Sequence, residues 1–353
     1  MARAEKRAAF HIGGIDIAAG TRRTVELPVS VLANHLPVSL PVHVIHGTRA
    51  GPVVFVSAAI HGDEIIGVEV VRRLLRQPAL KRLGGTLLAI PVVNSFGFLS
   101  GSRYLPDRRD LNRCFPGSEG GSLGSQLAHI FMSEIVRRSQ YGIDLHSAAI
   151  HRDNLPQLRA DFSDKETRRL GRVFGTPAMI HANYRDGSLR QAARDAGVKL
   201  LLFEGGEALR FNELAVRVAE RGVMRVLHEL GMIRRRLNVA PPQRPVHALS
   251  SYWVRAPIGG VLRHHVALGD RIQPGAALGI VSDTFGDIET PVMARDGGLV
   301  IGQTRLPVVN RGDALFHVAR YSDTDYDSEG VSFAALEQSL DDDPLLDSDA
   351  ERS

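Results

Sequence analysis

At Ala240-Pro241-Pro242 the chain stops alternating between strand and helix patterns, and this break constrains its fold more than any other feature. From residue 40 to about 240, short apolar runs alternate with helical periodicity. Residues 52–60 (PVVFVSAAI) form a short β-branched run bounded by Gly51 and Gly62, which predicts a buried strand. Ile65, Val68, Leu74 and Leu75 then recur at helical spacing within 64–76. A second buried strand is predicted at 86–93, and a helix at 122–138 with Leu123, Leu127, Ile130, Phe131 and Ile135 on one side. Short strands follow at 141–146 and 199–203. Ser188 suits the N-cap of a helix ending at Gly197, and Gly231 suits the stop of the long helix before it. This alternation implies an α/β fold, with a mixed, largely parallel sheet flanked by helices.

Beyond the prolines, residues 250–320 have almost no helical periodicity. Turn sequences such as Leu268-Gly269-Asp270, Gln273-Pro274-Gly275 and Asn310-Arg311-Gly312-Asp313 separate short strand-like runs. The expected organisation is a catalytic domain over 1–245, a small all-β domain over 246–321 and an acidic, disordered tail over 322–353.

Charge narrows the class of partner. The tail has eleven acidic residues against Arg352, so it carries −10 and the rest of the chain +14 of the net +4. That basic body could attract nucleic acid, but its arginines are scattered without interleaved aromatics, so no nucleic-acid partner is expected. No apolar run reaches the ~18 residues of a membrane span, and no apolar stretch follows the charged N-terminus as a leader would require. Cys114 is the single cysteine, which excludes an internal disulfide and suits a reducing compartment. A cytoplasmic location is the expectation.

Three chemically notable segments close predicted strands, where ligands collect in open α/β sheets: His61-Gly62-Asp63-Glu64, Asp144-Leu145-His146, and Phe203-Glu204-Gly205-Gly206-Glu207. An imidazole and a carboxylate three residues apart in a strand-to-helix turn can converge on one metal. A second imidazole from a neighbouring strand end completes a His₂Glu set, which zinc hydrolases use while leaving a position open for water. A carboxylate that is not a ligand must then accept a proton; Glu204 is the candidate and Glu207 its competitor. Between these segments runs a long, arginine-rich loop, GSRYLPDRRDLNRCFPG (101–117). Its Asn112-Arg113 pair can offer an amide and a forked guanidinium to a carboxylate.

HGDE, DLNRCFPG, DLH and FEGGE, in that order over roughly residues 40–230, resemble the succinylglutamate desuccinylase/aspartoacylase family, a branch of the zinc carboxypeptidase-like hydrolases. The resemblance implies one Zn²⁺ per chain on His61, Glu64 and His146, with Glu204 as general base and proton shuttle. It implies that Asn112 and Arg113 hold the carboxylate of a small anionic N-acyl amino acid substrate, whose amide bond is hydrolysed. Arg103 resembles the arginine that stabilises the oxyanion, although Arg108 or Arg109 could serve instead. Chain length and the β domain also resemble the N-acetyl-diaminobutanoate deacetylases. A metallocarboxypeptidase using the same zinc, or a zinc-binding module without activity, is the alternative.

The β domain, over 246–321, resembles the barrel-sandwich domain that follows the catalytic domain in many members of that family. It is also similar to biotinyl and lipoyl carrier domains, yet the last lysine of the chain is Lys199, so a swinging-arm carrier is excluded. The domain is instead expected to narrow access to the zinc or to form a homo-oligomer contact. Cys114 reads as structural, His264-His265 as a surface pair, Asp144 as a support for His146 or equally an acceptor of loop N–H groups, and His151 as a residue that could line the pocket.

Overall fold

The computed structural model describes residues 7–234, 244–321 and 336. The expected tail over 322–353 therefore lies outside the described residues, apart from Leu336, which is buried in the core. No described helix is long and apolar enough to cross a membrane.

The N-terminal strands are β1 (Phe10–Ile12), β2 (Ile15–Ile17), β3 (Thr21–Val31), β4 (Pro37–His46) and β5 (Arg49–Ala58). Then come α1 (Ile66–Leu74), β6 (Gly84–Ile90), α2 (Ser95–Ser100), α3 (Leu123–Glu134) and β7 (Tyr141–His146). The first half of the chain closes with β8 (Arg152–Ala160), α4 (Lys165–Phe174), β9 (Ala178–His181), α5 (Leu189–Asp195), β10 (Lys199–Gly206) and α6 (Glu213–Glu229). The remainder is β11 (Val246–Ala248), β12 (Ser250–Arg255), β13 (Gly260–His264), β14 (Arg271–Ile272), β15 (Ala277–Ser282), β16 (Glu289–Met293), β17 (Gly298–Thr304), β18 (Val308–Val309) and β19 (Ala314–Arg320).

Strands β6, β5, β7 and β10 lie side by side and parallel at the centre of the main sheet. Antiparallel strands extend it both ways, β4 and β3 beyond β6, and β8 beyond β10. Helices α1, α4 and α6 bury Ile66, Val70, Leu170, Phe174, Val216 and Leu227 against one face. Helices α3 and α5 bury Leu127, Phe131, Leu189 and Ala193 against the other. With both faces covered, the central strands need apolar side chains on both sides, which is why β6 is buried throughout.

The outer edge of β8 is divided. Residues 157–160 pair with β9, while residues 152–154 pair with β17, which continues into β19 and β12. The main sheet thus runs without a break into the C-terminal antiparallel β domain, whose second layer is ordered β16-β15-β13-β18. The core between those layers includes Leu278, Val281, Leu299, Leu315 and Phe316, and it also takes in Leu155 of β8 and Ile180 of β9.

Candidate metal centre

Strand β5 delivers the first motif. After its last residue, Ala59 takes a left-handed backbone (φ +51), an uncommon state for a side chain other than glycine and one that collects at functional sites. The turn that follows carries His61 and Glu64 and closes with the Glu64 N–H donating to the His61 carbonyl at 3.1 Å. Gly62 is required there because a Cβ would stand 2.0 Å from the Gly97 carbonyl carbon of α2, backbone against backbone. Strand β7 delivers His146 beside it.

His61 Nδ1 lies 2.7 Å from Glu64 Oε1, and His146 Nδ1 lies 2.6 Å from Glu64 Oε2. The donor atoms of the three residues all fall within 4.8 Å of one another, so the group could bind a metal. All three side chains are buried. Each imidazole is held from behind: His61 Nε2 by Asp110 Oδ1 at 3.2 Å, and His146 Nε2 by Asp144 Oδ2 at 2.7 Å. Asp144 in turn accepts from Ser57 Oγ at 2.8 Å. Carboxylates behind both Nε2 atoms fix the protons there and leave Nδ1 to face the centre, the usual support of a metal-ligating histidine.

The electrostatics favour a cation. Burial opposes charge on both imidazoles, but Glu64 and the carboxylates behind them prevail and hold His61 and His146 above the ordinary histidine pKa. Burial would raise the Glu64 pKa, yet the two imidazoles hold it well below the carboxylate range. Three carboxylates thus converge on two imidazoles, and a metal can replace the protons that the imidazoles otherwise carry. The donor set fits zinc by type and number.

Arg103 reaches this group from the long loop. Its Nη1 donates to Glu64 Oε1 at 3.0 Å and its Nη2 to Asp110 Oδ2 at 3.0 Å. Arg108 and Arg109 are exposed, and Arg109 faces Asp107 at 3.7 Å. Asn112 is buried and its Oδ1 accepts from the Leu189 N–H at 2.9 Å, tying the loop to the start of α5. Arg113 beside it is exposed.

Glu204 stands opposite His146 on the neighbouring strand. Its Oε2 accepts from Asn154 Nδ2 at 2.6 Å, and its Oε1 lies 3.5 Å from Arg159 Nε. Glu207 is engaged elsewhere, accepting from the His151 N–H at 3.1 Å and pairing with Arg210 at 3.4 Å. The exposed His151 thus meets Glu207 through its backbone. Burial and Asp107 raise the Cys114 pKa, which suits a structural thiol, and His264 packs edge-on to Phe316. Among the described residues, no second group of three such donors could hold a metal.

Asp110, Asn154 and Arg159 were not singled out in the sequence. For Asp110 a local signal exists, since its side chain accepts from the Asn112 N–H as an aspartate opening a turn does. Asn154 and Arg159 carry no such signal.

A mixed α/β sheet, parallel at its centre, with a buried His-Glu-His group at its strand ends defines the class: α/β proteins built around a site that could bind a metal. Residues 50–230 match the succinylglutamate desuccinylase/aspartoacylase catalytic domain, and the chain belongs to that family. It is 28% identical over 298 residues to the N-alpha-acetyl-L-2,4-diaminobutyric acid deacetylase of Halomonas elongata, covering 80% of this chain and 86% of that protein. Among solved structures, it resembles a succinylglutamate desuccinylase/aspartoacylase from Rhodobacter sphaeroides (TM-score 0.76, 24% identity, 85% of this chain and 96% of that one). It also resembles the product-bound ectoine utilization protein EutE of Ruegeria pomeroyi (TM-score 0.75, 24% identity, 84% and 94%).

Proposed function

We propose that this chain is a zinc-dependent deacylase that hydrolyses the amide bond of a small N-acyl amino acid, with N-acetyl-2,4-diaminobutyrate as the first substrate to try. The observation that carries this reading is the buried His61-Glu64-His146 group with both Nδ1 atoms turned inward. The Halomonas elongata relative supports the choice of substrate. In this reading the three residues hold one zinc per chain, and Asn112 and Arg113 receive the substrate carboxylate. Residues 1–245 supply the catalytic domain and 246–321 a smaller module. The protein works in the cytoplasm, where Cys114 stays reduced.

Zinc, when bound, polarises the acyl carbonyl and acidifies water. The Glu204 carboxylate takes a proton from the attacking water and passes it to the departing amine nitrogen. The Arg103 guanidinium, already against Glu64 and Asp110, is directed to the charge that grows on the carbonyl oxygen. Asn112 ties the loop that carries Arg113 to the start of α5.

Metal analysis of the purified protein, followed by a hydrolysis screen, tests this. N-acetyl-L-2,4-diaminobutyrate and other N-acetyl, N-succinyl and N-formyl amino acids should be cleaved, and dipeptides should not. Cleavage of dipeptides alone would make the chain a carboxypeptidase, and a lack of zinc would remove the metal assignment. Glu204→Gln should keep its zinc while kcat falls roughly 10² to 10⁴-fold, the usual worth of a positioned base.

A further inference from the structure

We infer that the C-terminal β domain holds the catalytic carboxylate in place, with Gly302 seating the amide of Asn154 and Asn154 orienting Glu204. Both are positioning residues, and the inference rests on the reading of Glu204 as the proton acceptor.

Strand β10 loses its regular register with β8 between Glu204 and Gly206. Pairing with β7 and β8 places the Glu204 backbone, opposite His146 and Gln157, so the carboxylate itself is oriented by its side-chain partners. Asn154 supplies the short contact, 2.6 Å from Nδ2 to Glu204 Oε2. An amide suits this place because it donates a hydrogen bond without adding a positive charge. A lysine or arginine at hydrogen-bond distance would hold the carboxylate in an ion pair and compete with the proton it has to accept. Arg159, at 3.5 Å, stands further off.

What seats Asn154 comes from the other half of the chain. The β8 edge at 152–154 is the part that pairs with β17, where Gly302 lies directly opposite Asn154. A Cβ on residue 302 would stand 2.8 Å from Asn154 Oδ1 and 3.2 Å from His317 Cβ. His317 cannot readily give way, since it is buried, stacked on Trp253 with ring centroids 4.4 Å apart, and hydrogen-bonded to Ser251 Oγ at 2.8 Å. The Asn154 amide, the free end of a side chain, can turn. A methyl group at 302 should therefore move the amide without unfolding the protein. The seam beside it is pinned: the Arg305 N–H donates to the His151 carbonyl at 2.8 Å, and the Arg305 guanidinium pairs with Asp153. The domain has few ways to slide and relieve such a clash.

The test compares Gly302→Ala, Asn154→Ala and Glu204→Gln, singly and combined, with N-acetyl-L-2,4-diaminobutyrate as substrate. Gly302→Ala and Asn154→Ala should keep zinc content and thermal midpoint near wild type. Each should lower kcat by roughly tenfold or more with little change in KM, as loss of a charge-assisted hydrogen bond would. In the Glu204→Gln background neither should lower kcat further, because residues acting through one group are not additive. A crystal structure of Gly302→Ala should find Asn154 Nδ2 beyond hydrogen-bond reach of Glu204. If Gly302→Ala does not fold, Asn154→Ala carries the same kinetic test. Normal turnover by the Gly302 and Asn154 variants beside an impaired Glu204→Gln overturns this inference and leaves the base assignment standing. Losses that add in full to that of Glu204→Gln also overturn it. An unimpaired Glu204→Gln removes the base and this inference together.

Discussion

Two imidazoles backed by carboxylates make the His61-Glu64-His146 group sensitive to residues outside it. His61→Ala or His146→Ala should abolish bound zinc and activity together, because two remaining ligands hold zinc poorly. Stoichiometric zinc in both variants would undo the ligand assignment. Asp144→Asn leaves all three ligands but weakens the hold on His146 Nε2. Its zinc affinity should fall about 10- to 100-fold in a chelator competition. Arg113→Lys keeps the charge and loses the planar fork, so KM should rise more than kcat falls, and an unchanged KM would take Arg113 out of the pocket. That His61, Glu64 and His146 come together was legible in the sequence, because they close predicted strands in one α/β sheet. The partners of Glu204 were not, since Asp153, Asn154, Pro156 and Gln157 interrupt the period of β8 and hide a strand whose side chains matter only once it is paired. Arg103 was named with two competitors that only tertiary structure separates: it is half-buried against Glu64, while they face solvent.

Helices away from the centre are capped by their own side chains, whereas α1, which begins just after Glu64, has no side-chain cap at Ile65. Glu64, just before it, is turned to His61 and His146 instead. Asp164 shows the contrasting case: its Oδ2 accepts from the Thr167 N–H at 2.8 Å, and Oδ1 takes Lys199 Nζ at 2.7 Å. Burial opposes this charge, but Lys199 and Thr167 prevail and push the Asp164 pKa down to about 2. Asp164→Ala should cost about 1 kcal/mol, the typical worth of an N-cap, in urea unfolding at pH 7, and a change below a few tenths would deny the cap its role. Strand β7 was predicted over its observed residues, and the cap of α5 was foreseen at Ser188, because apolar runs and cap residues are local signals. The helix predicted over 122–138 divides into α3 and a short 3₁₀ turn, Val136–Arg138. Strands β3 and β4 and helix α4 went unread, since α4 has charged residues at half of its positions and buries only Thr167, Leu170, Gly171 and Phe174.

Over the whole molecule, the core of the β domain reaches across the seam to Leu155 and Ile180. We expect one cooperative unfolding transition for the full chain, and two well-separated transitions would show that the halves stand independently. The seam also gives stability a pH dependence. Burial, then Arg159 and Arg152, push the His317 pKa down to about 3 from its ordinary 6.5. Between those values the unfolded chain binds a proton that the folded one refuses. The stability is therefore fully present above about pH 6.5 and is lost as pH falls toward 3. His317→Phe keeps a ring against Trp253 but cannot be protonated. Wild type should lose more stability than this variant between pH 7 and pH 5, and equal losses would clear His317 of the effect. The sheet that crosses from β8 to β17 also bears on how such proteins diversify. A gene crossover near residue 245 would graft a foreign β17 onto a native β8, so a relative's β domain could be inherited safely only together with the residues around Asn154 that it has to meet.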